Sequence, residues 1–306
     1  MQIRTLNHRA GWLVADFLNE SPCAVTPELM AEMLPAGAGT AAEERVYAAL
    51  LAGFLGLDPD ASEEDRFILE QYLLPGLRRL DPAVYRENPY YQQIRIPEQA
   101  AGGWQLAWQV YRPYELFLRD DMILTEDLRQ IPALGFFPEA FSFPSVLQDG
   151  REWMSIKPSE IERSQAAIDG AFGRVVTFGL GLGYFAFMAS EKPEVVSVRV
   201  VERDPSVISL FCEHILPQFP HRDKISVVQA DAFDYLEHDM MALPPDFVFM
   251  DIWHDISDGT PLYVRARQYE PRYPHTRFTY WISRSLKCAL VDYLAGFSVR
   301  RRNGRN

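Results

Sequence analysis

Three alternating glycines, Gly179, Gly181 and Gly183, interrupt the run RVVTFGLGLGYFAFMAS between a β-favouring stretch and a helix-compatible one. Strand, tight turn and helix in that order form a backbone cradle. The first glycine permits the turn, the second lets main chain approach a ligand, and the third lets helix and strand pack closely. Glycines in any tight turn produce such spacing, so the acids downstream carry the discrimination. The next apolar run, VVSVRVVE, ends in Glu202, roughly 20 residues beyond the turn, a position from which a carboxylate accepts hydrogen bonds from ribose hydroxyls. A third run, KISVVQ, delivers Asp231 and Ala232; a fourth, DFVFM, delivers Asp251, with His254 shortly after. In an open α/β sheet the carboxyl ends of the strands line one crevice, so these residues are expected to converge there on a nucleoside-bearing ligand. Arg203 and Asp204, beside Glu202, read as surface groups at a strand end.

The rest of the chain must position that crevice. The first ninety or so residues read as helices: Leu6 to Asn19 has an apolar face, and Thr26 caps a helix that Pro27 begins. Thr40 with Glu43 reads as a capping box, and Ser62 opens a helix that Pro75-Gly76 stops. From about Ile94 the prolines and glycines interrupt aromatic and β-branched runs, favouring short strands and turns. SVLQDGREWMSI reads as a hairpin turning at Asp149-Gly150, and Ser159 with Glu162 as a second capping box before EIERSQAAIDGAF. Tyr111, Tyr114, Phe136, Phe137 and Phe141 fit a packed core better than a lid or acceptor wall. The expected organisation is a helical N-terminal domain over residues 1–96, a β-rich connector or lid over 97–156, and a Rossmann-like domain over 157–306. The fold class is α/β, with a doubly wound sheet. Few residues follow Asp251, which leaves room for a sheet truncated at its C-terminal end; FTYWISRSLKCALVDYL reads as one long helix or as concealing one strand.

Residues about 153 to 258, roughly a third of the chain, resemble the class I S-adenosylmethionine-dependent methyltransferases in the order of their motifs. The resemblance implies that Gly179, Gly181 and Gly183 pass beneath the methionine and ribose of S-adenosylmethionine. Glu202 would hold the ribose hydroxyls, Asp231 and Ala232 would meet the adenine, and Asp251 would lie beside the sulfonium. The dehydrogenase fingerprint G-x-G-x-x-G fits less well, because Tyr184 stands where its third glycine belongs. The family usually has an acid two residues before the first glycine. Here that residue is Thr177, so the contact to the cofactor's amino group is expected to be made differently or through water.

Two relatives within the fold compete. DFVFMDIWHDISD resembles the catechol-type O-methyltransferases, which implies Asp251 as a metal ligand and His254 in place of their lysine base. The acid-amide pair that family needs is not found after residue 260, so no metal is expected. Imidazole suits proton removal from a phenol or alcohol because its reference pKa lies near the operating pH. The hairpin LQDGREW resembles the spermidine synthases, which implies that Asp251, Asp255 and Asp258 bind a cationic amine; MSIKPSEI replaces their tyrosine and acidic motif. The expected function is therefore methyl transfer to a small-molecule acceptor, with Asp251 and His254 catalytic. The alternatives are aminopropyl transfer and a non-catalytic cofactor-binding module serving an assembly.

Composition narrows the partners. The 306 residues carry 30 Lys+Arg against 42 Asp+Glu, a formal charge of −12 that disfavours a phosphate backbone as partner. The one dense basic cluster, Arg300, Arg301, Arg302 and Arg305, reads as a solvated tail. Cys23, Cys212 and Cys288 are widely spaced and odd in number, which suits reduced thiols and a cytoplasmic location. The start, MQIRTLNHRAGW, has no apolar stretch long enough for a signal peptide and no 18-residue apolar run occurs, so no membrane partner is expected, and a homo-oligomer is allowed. Asn88-Pro89-Tyr90 resembles an amino-methylation signature but precedes the glycine turn. His8, His214, His221, His238 and His275 lack metal-ligand spacing.

Overall fold

Five parallel strands carry the glycine turn and its acids in the computed structural model, which describes residues 3–291. The chain divides into two units. One contains the residues up to Arg86 with Val110–Ser142, the other Glu87–Gln109 with the residues from Phe143 onward.

The first unit is mainly helical. Ile3–Glu20, Pro27–Met33, Thr40–Phe54 and Glu63–Ile68 are helices, the last continuing through a π turn to Gly76. Their apolar stripes bury Leu6, Val14, Phe17, Tyr47, Leu51 and Tyr72 in one core. A short sheet of Leu77–Arg79, Leu134–Phe136 and Phe117–Leu118 closes it, with Phe136 stacked on Tyr47 at 4.2 Å. Phe136, Phe137 and Phe141 are fully buried, as a core reading requires. The capping box expected at Thr40 does not form. Gly39 is the cap and Thr40 the first helical residue, while Glu43 pairs with Arg79 and accepts from the Tyr114 hydroxyl.

In the second unit the strands are β1 (Trp104–Tyr111), β2 (Phe141–Gln148) and β3 (Arg151–Ser155), then β4 (Gly173–Phe178), β5 (Val195–Glu202), β6 (Ile225–Gln229), β7 (Phe247–Met250) and β8 (Arg277–Tyr280); the ends of β1 and β2 belong to the first unit. Its helices include α1 (Pro158–Gly170), α2 (Tyr184–Ser190), α3 (Pro205–Leu210) and α4 (Ile256–Arg267). The parallel sheet runs β6-β5-β4-β7-β8, so the strand order reverses at β4, where ligands bind in open α/β sheets. Phe185 packs on Phe249 from one face of the sheet, while Val248 and Met250 join a core with Phe178, Leu236 and Leu286 on the other. Burial on both faces explains the unbroken apolar runs in the sequence.

The segment after Asp251 yields one strand, β8, in FTYWISRSLKCALVDYL. It extends the sheet to five strands among the described residues. The basic cluster at Arg300 to Arg305 lies outside the described residues. Ser159 is not a cap: Pro158 starts α1 with Lys157 before it, so Ser159 falls inside the helix and is buried. Among the described residues no helix is long and apolar enough to cross a membrane.

Candidate functional site

The sheet register brings the chemistry together. Phe178 pairs with Val201 on one side and Met250 on the other, Glu202 with Gln229, and Met250 with Tyr280. The five strands therefore end at one edge, and the residues just past it surround a cavity of about 460 Å³. Gly179, Gly181, Glu202, Asp231, Ala232, Asp251 and His254 all line it. Gly183 does not. At φ +74° a Cβ there would lie 2.3 Å from the Phe211 ring, a position set by packing. Gly179 is more constrained: at φ +91° a Cβ would lie 1.9 Å from the carbonyl oxygen of Asp251. The turn is seated by Gly179 N–H donating to Val201 and by Asp251 N–H donating to Phe178, both at 2.9 Å.

Each acid is aimed by the backbone. Glu202 accepts from Leu180 N–H through Oε2 at 3.2 Å and from the N–H groups of Arg203 and Asp204 through Oε1 at 2.7 and 2.9 Å. A carboxylate has about four acceptor positions, so the remaining one lies on Oε2. Asp231 caps a short helix through Oδ1, which accepts from Phe233 and Asp234 N–H. Asp204 is more than a surface group: it caps α3 through Oδ1 and accepts the Trp104 indole N–H through Oδ2 at 2.9 Å. Asp255 and Asp258 form the capping box of α4 and do not line the cavity, which leaves Asp251 alone of the three carboxylates read as an amine site.

Sequence reasoning missed the inner wall. Glu160, in the first turn of α1, is buried and lines the cavity. Its Oε1 accepts from the Ser164 hydroxyl at 2.9 Å and its Oε2 from the Trp281 indole at 3.1 Å. Arg163 lies with its guanidinium 5.4 Å from the Trp281 ring. Asp251 has no side-chain hydrogen bond among the described residues. Loss of solvent pushes its carboxyl well above the usual range; Glu160 adds to this and Arg163 opposes it. Burial likewise raises Glu160, against hydrogen bonds from Ser164 and Trp281 and the charges of Arg163 and Lys157. Glu160 and Asp251 also border a small void with Thr177, Gly179 and Gly181. One signal for Glu160 was available in the sequence. It shares its helix face with Ile161, Ser164, Ala167 and Ile168, and a charge on a buried face requires a purpose.

The outer wall comes from the hairpin and from the loop after β7. Trp153, Glu152 and Gln148 line the cavity with Trp104 and His254. The His254 ring lies 5.7 Å from that of Trp153, with Nδ1 3.7 Å from the Asp255 carboxylate. Trp253, beside it, is 4% exposed and lines the cavity, and its indole N–H has no partner among the described residues. The Asn88-Pro89-Tyr90 segment has a structural use: the Tyr90 hydroxyl donates to the carbonyl of Leu182 inside the glycine turn at 2.6 Å. Among the described residues no cluster of His, Cys, Asp and Glu is arranged to hold a metal ion.

No family model and no curated protein matches the chain. Among solved structures it is similar to one described as "a putative O-methyltransferase from Klebsiella pneumoniae", at 17% identity and a TM-score of 0.28. That alignment covers 36% of this chain and 48% of the other, so the chain spans about half the length of that neighbour. The assignment of a mixed α/β fold with a parallel sheet rests on the strand register of the chain itself.

Proposed function

We propose that the cavity binds S-adenosylmethionine and that the protein transfers its methyl group to a small-molecule acceptor. The observation that carries this reading is the convergence of the glycine turn with Glu202, Asp231 and Asp251 on one cavity at the strand-order reversal. The groups present suit the cofactor. Glu202 retains an acceptor position for a ribose hydroxyl, Asp231 keeps Oδ2 for an adenine amine, and Asp251 offers to a positive sulfur a carboxylate that makes no hydrogen bond among the described residues. Glu160, bordering the same void as Thr177, takes the contact to the amino group that the resemblance gives to an acid at position 177.

When bound, the cofactor supplies a methyl carbon on a sulfonium, already an excellent leaving group, so alignment and water exclusion do most of the work. His254 would take the proton that the acceptor heteroatom gives up on methylation, and Asp251 would hold the positive sulfur. His254 suits this role because its ring stands at the cavity wall, while Asp251 lies deeper and favours positive charge there. Asp255, held against Nδ1 and fixed by the capping box, orients the ring.

Isothermal titration with S-adenosylhomocysteine tests the reading. The wild-type chain is expected to bind one equivalent, and Glu202→Gln to bind it roughly 10–100-fold more weakly, the effect of a hydrogen bond to a charged group worth about 1.5–3 kcal/mol. Absence of binding to the wild-type chain, or equal affinity in the variant, overturns it.

A further inference from the structure

The hairpin carries a feature that cofactor binding does not use. Along β2 and β3, Val146 pairs with Met154 and Leu147 with Glu152, so Trp153 is the extra residue of a β-bulge. A bulge re-aims the side chain it displaces, and bulges recur beside binding sites. Here the displaced side chain is an indole, 38% exposed, in the wall of the cavity. The turn holding the register is tight: Asp149 and Gly150 both have positive φ, at 50° and 77°, as a two-residue hairpin of this kind needs.

The indole is also braced. Trp104 meets it edge-on at 5.6 Å and 86°, is only 6% exposed, and is fixed by its hydrogen bond to Asp204. The His254 ring is also tilted against it, at 51°. Of the neighbouring carboxylates, Glu152 is paired with Lys157 through Oε1, and Asp204 accepts from Trp104 and caps α3. This end of the cavity offers a rigid aromatic face with an imidazole at its border.

We propose that Trp153 is the specificity-determining platform of the acceptor site and that the acceptor is a flat aromatic molecule stacked on its indole, with its reacting heteroatom towards His254. This rests on the methyl-transfer reading for the name acceptor, while the stacking site stands on the bulge and the braced indole. Offset stacking and burial of a ring face favour a flat ligand over a puckered one of equal size.

The test uses 2-naphthol and decahydro-2-naphthol, which share a hydroxyl and a carbon skeleton and differ in flatness. Each is titrated into the full chain with and without saturating S-adenosylhomocysteine. The flat alcohol is expected to bind at least about tenfold more tightly than the puckered one, and Trp153→Ala to remove that preference while Trp153→Phe retains part of it. S-adenosylhomocysteine affinity is expected to stay unchanged in Trp153→Ala. Equal binding of the two alcohols, no binding of either, or an unchanged preference in Trp153→Ala overturns the proposal. So does competition between 2-naphthol and S-adenosylhomocysteine with a loss of the latter's affinity in Trp153→Ala, which would make the indole part of the cofactor wall. A chain that binds 2-naphthol through Trp153 but never binds S-adenosylhomocysteine would sustain the stacking site and overturn the methyl-transfer reading instead.

Discussion

Gly179→Ala is expected to lower the melting temperature by about 10 °C and to remove S-adenosylhomocysteine binding. Two independent penalties combine at this position. A Cβ at φ +91° is strained in any surroundings, a conformation worth about 1–3 kcal/mol. The same Cβ would stand 1.9 Å from the carbonyl oxygen of Asp251, and backbone cannot swing aside as a side chain does. Relief requires the ends of β4 and β7 to part, which stretches the hydrogen bond from Asp251 to Phe178. Together these amount to about 3–5 kcal/mol, at about 2–4 °C per kcal/mol for a chain of this class. Gly181→Ala is the internal control. Its φ is +51°, and the nearest atoms its Cβ would meet belong to the flexible Met154 side chain at 3.2–3.3 Å, so a loss nearer 1 kcal/mol is expected. Thermal denaturation of the two variants in parallel checks the ranking; equal melting temperatures would contradict the packing described for the turn.

Asp251→Asn is expected to stabilise the protein at pH 8 while disabling the site. The carboxylate makes no hydrogen bond among the described residues and is raised by lost solvent and by Glu160. A carboxyl whose folded pKa lies above its unfolded value of about 3.9 holds its proton in the folded state after the unfolded chain has released it. Wild-type stability from this group is therefore fully present below about pH 4 and declines as pH rises towards the folded value. An amide of the same shape removes that decline. The gain is expected to be about 1–2 kcal/mol at pH 8 and to vanish near pH 4, read as a melting-temperature difference across pH. The functional loss runs the other way. Without the negative charge, affinity for the cationic S-adenosylmethionine is expected to fall about tenfold more than affinity for its neutral demethylated product, since a pair of unit charges at 4 Å is worth about 1–4 kcal/mol in wet surroundings. Destabilisation at pH 8, or equal loss for the two ligands, would show that Asp251 is not an unpaired carboxylate facing positive charge.

The sequence made the inner sheet legible because its cues are local. Each strand from β4 to β7 is a short β-branched or aromatic run bounded by a turn, and the residue at its end is either glycine or an acid. The hairpin was legible through Asp149-Gly150 for the same reason. The two capping boxes at Thr40 and Ser159 failed because a cap depends on where the backbone first turns helical: Gly39 and Pro158 settled that one or more residues earlier. β8 was only half visible, since RFTY is four residues long and adjoins a helical pattern.

The cavity walls were the least legible part. Glu160 reaches Trp281 and Asp251 across long stretches of chain, and nothing local to SEIER records that meeting. Trp153 sits in the hairpin as an ordinary aromatic until the bulge is seen, and Trp104 gains its role only through Asp204. Strand ends converge by the rule of the fold, whereas the walls around them depend on tertiary neighbours that a single sequence does not spell out.

A crystal structure of the chain grown with S-adenosylhomocysteine tests the central claim most directly. The account predicts the ligand in the cavity at the carboxyl edge of the parallel sheet, a ribose hydroxyl on Glu202, the adenine against Asp231 and Ala232, and the sulfur facing Asp251. A cavity closed by its own side chains, or a ligand seated away from the glycine turn, would contradict it.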